Sequence, residues 1–311
     1  MKISTLDTLL TRRIHDKEPY TGTVEIPVSS NVTVITPDEL ESNGRINRPD
    51  VEFCWDDYER HYLAKGDSWF SHSDALSPSF LYRLGNTVPL KKRTLIVNCS
   101  YPGHTLARMA DWSRNMDFPK LLSKKRSAWK WDGILLSAGG NDLVEAALSP
   151  VGILRTCANP SSYRDFIDNA AVARLEGHLK VLFRYVVALR DASAIPENST
   201  APIYYHTYGY PTPRNSSASI SGPWLYKAFT QKQIPIQYWA GLSDALMDRL
   251  ADMLRGFSGI GRNLHLVDTL RYVALVRAIA GSSHGSGDWL NEIHLNNSGK
   301  DKIARYWSNF L

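Results

Sequence analysis

The sequence lacks most of the features that mark specialised protein classes. Its 311 residues include only three cysteines, Cys54, Cys99 and Cys157, which are widely spaced and form no C-x-x-C pair. This spacing indicates neither a disulfide framework nor a zinc cluster. No apolar run approaches the roughly 18 residues that span a bilayer, and the first thirty residues contain no signal-peptide core. We therefore expect no transmembrane segment and a cytoplasmic location, unless a signal-independent route exports the protein.

A large excess of one sign of charge is also absent. The 36 lysines and arginines exceed the 31 aspartates and glutamates by only five. This mild surplus favours anionic partners, but the chain contains no nucleic-acid recognition motif, so we expect no nucleic-acid partner. The basic segment 120–130 could contact an anionic membrane surface through its Leu and Trp side chains, although we favour a solvated helix face. The nine histidines form no H-x-x-x-H pair, and we expect neither a metal nor a cofactor.

What is present is a regular alternation of short apolar runs with longer helical patterns. Three amphipathic patterns predict helices near residues 171–190, 240–254 and 299–310, the last starting at a capping box of Ser298 and Asp301. This rhythm predicts an α/β fold with a five-stranded, mainly parallel sheet. The strands are expected at residues 61–65, 94–99, 133–137, 201–207 and 263–267.

Residues 1–58 do not follow this alternation. Their valines and isoleucines are interrupted by Pro27 and Pro37, which favours a small hairpin or an extended arm. We therefore divide the chain into an N-terminal extension, residues 1–58, packed on a catalytic domain, residues 59–311.

Three short segments contain side chains that could take part in a reaction, and they follow predicted strands or precede the last helix. A serine at a strand-to-helix turn, Ser68 after Gly66-Asp67, has its hydroxyl at the sheet edge where ligands bind. Asn141, after two glycines, offers an amide N–H for an oxyanion, and His294 on a late loop is a candidate general base. Each also has an ordinary structural explanation: a helix cap, a glycine turn and a surface histidine.

Together, in this order, the three segments resemble the SGNH (GDSL-type) hydrolase family, whose fourth block is matched by Gly103. The resemblance implies a flavodoxin-like three-layer α/β/α sandwich. It also implies Ser68 as the nucleophile, His294 as its base, and an oxyanion hole formed by the N–H groups of Ser68 and Gly103 and the side chain of Asn141. No cofactor is implied.

The sequence departs from the family pattern at the position of the acid. Asn291 stands three residues before His294, where the family has an aspartate. Three interpretations remain open: Asn291 orients the ring, Asp288 or Glu292 replaces the acid, or a backbone carbonyl does so. We favour a dyad that Asn291 or a carbonyl assists.

Aromatic residues near these segments are candidates for substrate binding. Trp69 stands where the family often has leucine, so it could narrow the acyl pocket or pack beneath the serine. Tyr208 and Tyr210 follow the fourth predicted strand and could line a cleft.

The predicted function is hydrolysis of a carboxylic ester, either a lipid, a phospholipid or an acetyl ester. Two alternatives remain at this point. An acyltransferase would use the same residues but exclude water. A non-catalytic flavodoxin-like protein would bind an anionic ligand at the same sheet edge, and Asn291 in the acid position favours that alternative.

Overall fold

A computed structural model describes residues 31–311, apart from 42–43, 49–50, 72–77, 86–88, 112, 114, 124–128 and 220. The strands in this part of the chain are numbered in chain order. They are β1 (Val32–Ile35), β2 (Arg45–Arg48), β3 (Val51–Cys54), β4 (Arg60–Gly66), β5 (Thr94–Asn98), β6 (Gly133–Ser137), β7 (Ile203–His206) and β8 (Leu264–Val267).

The main sheet has the strand order β1-β5-β4-β6-β7-β8, and all its neighbouring strands are parallel. The five predicted strands are all present. The predicted number of five was nevertheless wrong, because β1 adds a sixth strand at one edge. This strand is only four residues long and precedes Pro37, so its sequence resembles an arm.

The central strands β4, β5 and β6 are the most deeply buried part of the sheet. Leu63, Ile96 and Leu135, one from each strand, have no exposed surface. Strands covered on both faces read as continuous apolar runs rather than as alternating patterns. These apolar runs are the reason that β4, β5 and β6 could be identified from the sequence.

The strands β2 and β3 form an antiparallel hairpin outside the main sheet, with Arg45 paired to Cys54. Residues 1–30 of the predicted N-terminal extension lie outside the described residues. The division of the chain at residue 58 stays a prediction, and β1 from that region is part of the main sheet.

The helices of the described residues lie on both sides of the sheet, as expected for a three-layer α/β/α sandwich. They are α1 (Leu106–Met109), α2 (Asp117–Ser123), α3 (Gly140–Leu148), α4 (Asn169–Asp191), α5 (Pro196–Ser199), α6 (Leu225–Gln231), α7 (Trp239–Gly256), α8 (Thr269–Tyr272) and α9 (Asn297–Trp307).

The three predicted long helices are α4, α7 and α9. The predicted cap of α9 was wrong: its N-cap is Asn296, whose side chain accepts from Gly299 N–H at 3.1 Å. Ser298 instead donates to Asp288, and Asp301 pairs with Arg83. None of the helices in the described ranges is long and apolar enough to cross a membrane.

Candidate active site

Ser68 lies in the tight turn that follows β4, at the carboxyl edge of the sheet. Main-chain hydrogen bonds fix this turn. Asp67 N–H donates to the carbonyl of Ser137 at 3.2 Å, and Ser71 N–H donates to the carbonyl of Asp67 at 3.0 Å. The turn needs glycine at position 66 because a Cβ there would lie 2.7 Å from Cβ of Ser137. The neighbouring strand thus fixes the position of the serine.

His294 reaches the same point from the loop before α9. Its Nε2 lies 2.8 Å from Oγ of Ser68, although the two residues are 226 positions apart in the chain. The ring of Trp224 packs edge-on against the imidazole, with centroids 5.3 Å apart. Ser68 and His294 are both buried, at 5% and 4% exposure. The structure therefore brings together the nucleophile and base expected from the sequence.

Asn291 faces the other nitrogen of this ring. Its Nδ2 lies 3.0 Å from Nδ1 of His294. Its Oδ1 accepts hydrogen bonds from the backbone N–H groups of His294, at 2.9 Å, and Ile293, at 3.2 Å. Asn291 therefore contacts the ring nitrogen that faces away from Ser68, and it presents a donor to the imidazole where an aspartate would present an acceptor.

Asp288, the first alternative acid, is engaged elsewhere. One carboxylate oxygen accepts from Ser298 Oγ at 2.8 Å, and the other accepts from Val276 N–H and Lys302 Nζ, both at 2.6 Å. These bonds tie the loop to the start of α9. The structure places Asp288 in an anchoring role rather than on the histidine ring.

Glu292, the second alternative acid, points away from His294 toward the start of α6. Its carboxylate accepts from the backbone N–H groups of Trp224, Tyr226 at 2.6 Å and Arg214 at 3.3 Å. Burial raises its pKa to about 7, although these N–H donors oppose the rise. Glu292 thus holds the loop against the helix.

Arg214 is a residue of the site that the sequence did not reveal. It is 1% exposed and spans the loop that carries the histidine. Its guanidinium donates to the carbonyl of Asn291 at 2.8 Å and to Oγ of Ser282 at 2.8 Å, and also to the carbonyl of His284. Because one planar group binds three points, it fixes the path of the loop.

Besides Ser68, the predicted oxyanion-hole residues lie in the segments that follow β5 and β6. Gly103 adopts a φ of +73°, which favours glycine, and no heavy atom lies within 4 Å of the Cβ that another residue would add. Asn141 is in the first turn of α3 and lines the same cleft as Ser68. Its Nδ2 donates to the carbonyl of His104 at 3.1 Å, which fixes the amide next to the Gly103 segment.

Asp142 joins these two segments. Its buried carboxylate accepts from Leu106 N–H at 2.9 Å, and so links the start of α3 to the start of α1. Burial raises its pKa to about 6. This contact holds the loop after β5 in place beside Asn141.

A chain of buried polar groups lies beneath the serine turn. Asp67 accepts from Tyr208 Oη at 2.6 Å, and Ser137 Oγ lies between Asp67 Oδ1, at 2.8 Å, and His206 Nε2, at 2.9 Å. Nδ1 of His206 is 2.7 Å from the carbonyl of Thr207, which can only accept. The single hydroxyl proton of Ser137 can serve only one of these two contacts, with Asp67 or with His206. If Asp67 is ionised and His206 is neutral, the other contact lacks a proton, so this row of polar groups requires one more.

Asp67 and His206, at the two ends of this row of polar groups, differ in their affinity for that proton. Burial raises the pKa of Asp67 to about 6 and lowers the pKa of His206 to about 4. The extra proton therefore resides on Asp67 at mildly acidic pH, and is lost as the pH rises above 6.

An apolar cleft opens beside Ser68 and encloses about 470 Å³ of space free of atoms, including its open mouth. Trp69 and Tyr208 line it, and Trp69 Nε1 also donates to the carbonyl of Ile293 at 3.3 Å. Tyr210 does not lie on this cleft: its hydroxyl donates to Asp248 on α7 at 2.5 Å. The remaining lining residues are mostly apolar and are Gly140, Leu143, Val144, Gly209, Pro211, Leu225, Met247, Trp289 and Ile293, with Asp67 and Asn141.

The described residues contain no group of three or more His, Cys, Asp or Glu side chains that could hold a metal ion. The geometry is that of a serine hydroxyl beside an imidazole, with amide donors nearby. Such an arrangement can perform acyl transfer without a metal.

No family model matches this sequence, and the curated proteins contain no match to it. Solved structures do match. The lipase Lip_vut3 from a goat rumen metagenome is 13% identical with a TM-score of 0.51, and the match covers 80% of this chain and 96% of the lipase.

Two further matches have lower scores. An extracellular lipase from Streptomyces rimosus is 14% identical with a TM-score of 0.46, over 80% of this chain and 99% of the lipase. A carbohydrate acetylesterase family member from Sinorhizobium meliloti is 15% identical with a TM-score of 0.45, over 81% and 96%. The match to Lip_vut3 establishes a shared fold, and the fold expected from the SGNH resemblance is confirmed.

Proposed function

We propose that this protein is a serine hydrolase that cleaves a carboxylic ester. The observation that carries the proposal is the 2.8 Å contact between Ser68 Oγ and His294 Nε2, with Ser68 lining an apolar cleft. A serine hydroxyl is a weak nucleophile unless a base accepts its proton, and this contact puts a base within reach. The fold shared with a lipase supports the same conclusion.

In the proposed reaction, Ser68 Oγ attacks the ester carbonyl carbon while its proton moves to His294 Nε2. The carbonyl oxygen becomes an oxyanion, stabilised by Ser68 N–H, Gly103 N–H and Asn141 Nδ2. The bond to the alcohol then breaks, and His294 returns its proton to the leaving oxygen. Water, with His294 again as base, hydrolyses the acyl-enzyme and frees the acid and Ser68.

The apolar cleft supports an acyl group as the part of the substrate that enters the protein. Leu143, Val144 and Met247 offer it hydrocarbon contacts, and Trp69 forms part of the wall next to the serine. The alcohol then faces solvent. Lipid, phospholipid and acetyl esters all satisfy this orientation, and acyl chain length separates the acetyl esters from the two lipid classes.

The test is hydrolysis of p-nitrophenyl esters from acetate to palmitate by the purified protein, beside Ser68→Ala. The matched control is Ser71→Ala, because Ser71 is equally buried and its hydroxyl has no hydrogen-bond partner among the described residues. Turnover and fluorophosphonate labelling that disappear in Ser68→Ala alone would support the proposal. A wild type that shows no turnover and no labelling would overturn it.

A second candidate function is binding of an anionic ligand without catalysis, and the donor that Asn291 presents to His294 favours it. An imidazole that carries its proton on Nε2 donates to the site instead of accepting from it. Under this alternative, phosphate or acetate would raise the melting temperature while fluorophosphonate would leave Ser68 unlabelled.

A further inference from the structure

The side-chain amide of Asn291 can be oriented from its own hydrogen bonds. The oxygen must face the backbone N–H groups of His294 and Ile293, at 2.9 and 3.2 Å, because the amide nitrogen has no lone pair to offer them. This leaves Nδ2, a donor, 3.0 Å from Nδ1 of His294. Nδ1 is therefore the acceptor of this contact.

An imidazole nitrogen that accepts carries no proton, so the neutral ring of His294 holds its proton on Nε2. Nε2 is the atom that faces Ser68 Oγ at 2.8 Å. In this tautomer the ring donates to the serine and has no lone pair to take the serine proton.

We propose that Asn291 is a positioning residue that holds His294 in the Nε2–H tautomer and so restrains the nucleophile. The inference rests on the proposed hydrolase function. Turnover would proceed from the minor tautomer, with the proton on Nδ1, in which Nε2 can accept the proton of Ser68.

The surroundings of Asn291 prevent the side-chain amide from rotating by half a turn, which would place Oδ1 instead of Nδ2 against Nδ1 of His294. The residue is 2% exposed, and Arg214 holds its carbonyl at 2.8 Å. A turned amide would direct Nδ2–H at two backbone N–H groups that then lack an acceptor. The tautomer is thus set by the main chain of the loop and not by the ring itself.

The substitution Asn291→Asp tests this directly because the two side chains have the same shape. A carboxylate can keep both backbone hydrogen bonds through one oxygen and accept Nδ1–H through the other. This frees the lone pair of Nε2. We expect kcat/KM to rise by up to about 10⁴-fold, the size of the effect that the same exchange has in a Ser–His–Asp triad.

The experiment compares the wild type, Asn291→Asp and the control Asn297→Asp on a p-nitrophenyl ester. Asn297 is exposed at the start of α9, so its substitution adds the same charge near the loop without a contact to the ring. The second readout is ¹⁵N NMR of histidine-labelled protein, with the His294 signals assigned by difference from His294→Gln. The third is the pH–rate profile, whose acidic limb should move to higher pH in Asn291→Asp because a carboxylate stabilises the imidazolium.

Faster turnover in Asn291→Asp alone, with an Nε2–H signal in the wild type that is lost in the variant, would support the inference. An Nδ1–H signal in the wild type, or an active wild type that Asn291→Asp does not accelerate, would overturn it. If neither protein hydrolyses esters or reacts with fluorophosphonate, the hydrolase proposal fails. The NMR signal then decides by itself whether Asn291 sets the tautomer.

Discussion

Ser68 follows directly on the central strand β4, whereas His294 lies in residues 273–296, which form neither a helix nor a strand. The serine turn is held by main-chain bonds to Ser137 and by the close packing that requires Gly66. The histidine loop is held mainly by side chains: Arg214 donates to its backbone from outside, and the loop's own Glu292 accepts from backbone N–H groups at the start of α6.

Because of this difference, we expect different kinds of substitution to disrupt the serine turn and the histidine loop. A loop tied by a few buried side chains, Arg214 above all, depends strongly on each of them. A turn tied to a sheet tolerates the loss of one side chain better, but it has no room for added volume. The following substitutions separate these two kinds of dependence.

The largest effect is expected from Arg214→Ala. It leaves the carbonyls of Asn291 and His284 without their donor and the buried Glu292 without a nearby positive charge. We expect a loss of about 3–5 kcal/mol in the free energy of unfolding, measured by urea denaturation, and a fall in kcat/KM.

The control is Arg277→Ala, which removes a half-exposed ion pair with Asp244 from the same region. It should cost less than about 1 kcal/mol. Equal losses in the two variants would mean that Arg214 does not anchor the loop.

On the serine side, Asp67→Asn should change how stability depends on pH. Burial raises the pKa of Asp67 from 3.8 to about 6, so the folded protein binds more protons than the unfolded chain between these values. The resulting stability is fully present below about pH 4 and is lost as the pH rises through 6, by about 3 kcal/mol in total.

Asn cannot ionise, so this decline should be smaller in Asp67→Asn by that amount. The measurement is urea denaturation of both proteins from pH 4 to 8. The difference between the two proteins reports mainly Asp67, since burial is the largest cause of the raised pKa of Asp142 in each and the Asp67 charge is a smaller one. Parallel curves would contradict the assignment of the extra proton to Asp67.

Gly66→Ala tests the close packing of the serine turn. The added Cβ would lie 2.7 Å from Cβ of Ser137 and 3.1 Å from its carbonyl oxygen. We expect a loss of about 1–3 kcal/mol from overpacking, together with lower turnover because Ser68 shifts. Gly177→Ala is the control: it adds a Cβ on α4 with nothing within 4 Å, and should stabilise by up to about 1 kcal/mol.

The smallest effects compare two tyrosines that each donate to a carboxylate. Tyr208→Phe leaves the buried Asp67 without one donor and should cost about 1–3 kcal/mol. Tyr210→Phe removes a bond to Asp248 at the surface and should cost less than about 0.5 kcal/mol, with no change in KM. A larger effect on KM in Tyr210→Phe would place that residue in the substrate cleft after all.

The serine half of the site was predictable because its chemistry is local. Gly66, Asp67 and Ser68 follow a continuous apolar strand, and the need for glycine and the place of the hydroxyl both come from that strand end. Asn141 was predictable for the same reason, since it follows β6. The edge strand β1 was missed because four residues beside a proline carry too little pattern.

The histidine half was only partly predictable. His294 and Asn291 could be identified by their spacing, but the direction of the amide depends on backbone N–H groups that no pattern reveals. Arg214 gave no signal, because its partners lie 68 to 77 positions away on an irregular loop. Asp288 and Glu292 were weighed as acids on proximity alone, and only the structure shows which backbone groups they bind.

The separation of 226 positions between Ser68 and His294 also has a consequence during synthesis. At about 5–20 residues per second, a ribosome needs roughly 10 to 45 seconds to add the base after it has added the serine. The serine turn contacts Ser137, only 70 positions later, so its supporting strand is complete much earlier. Under the proposed function, a growing chain therefore carries Ser68 without its base, and the serine cannot react until residues 273–296 have been made.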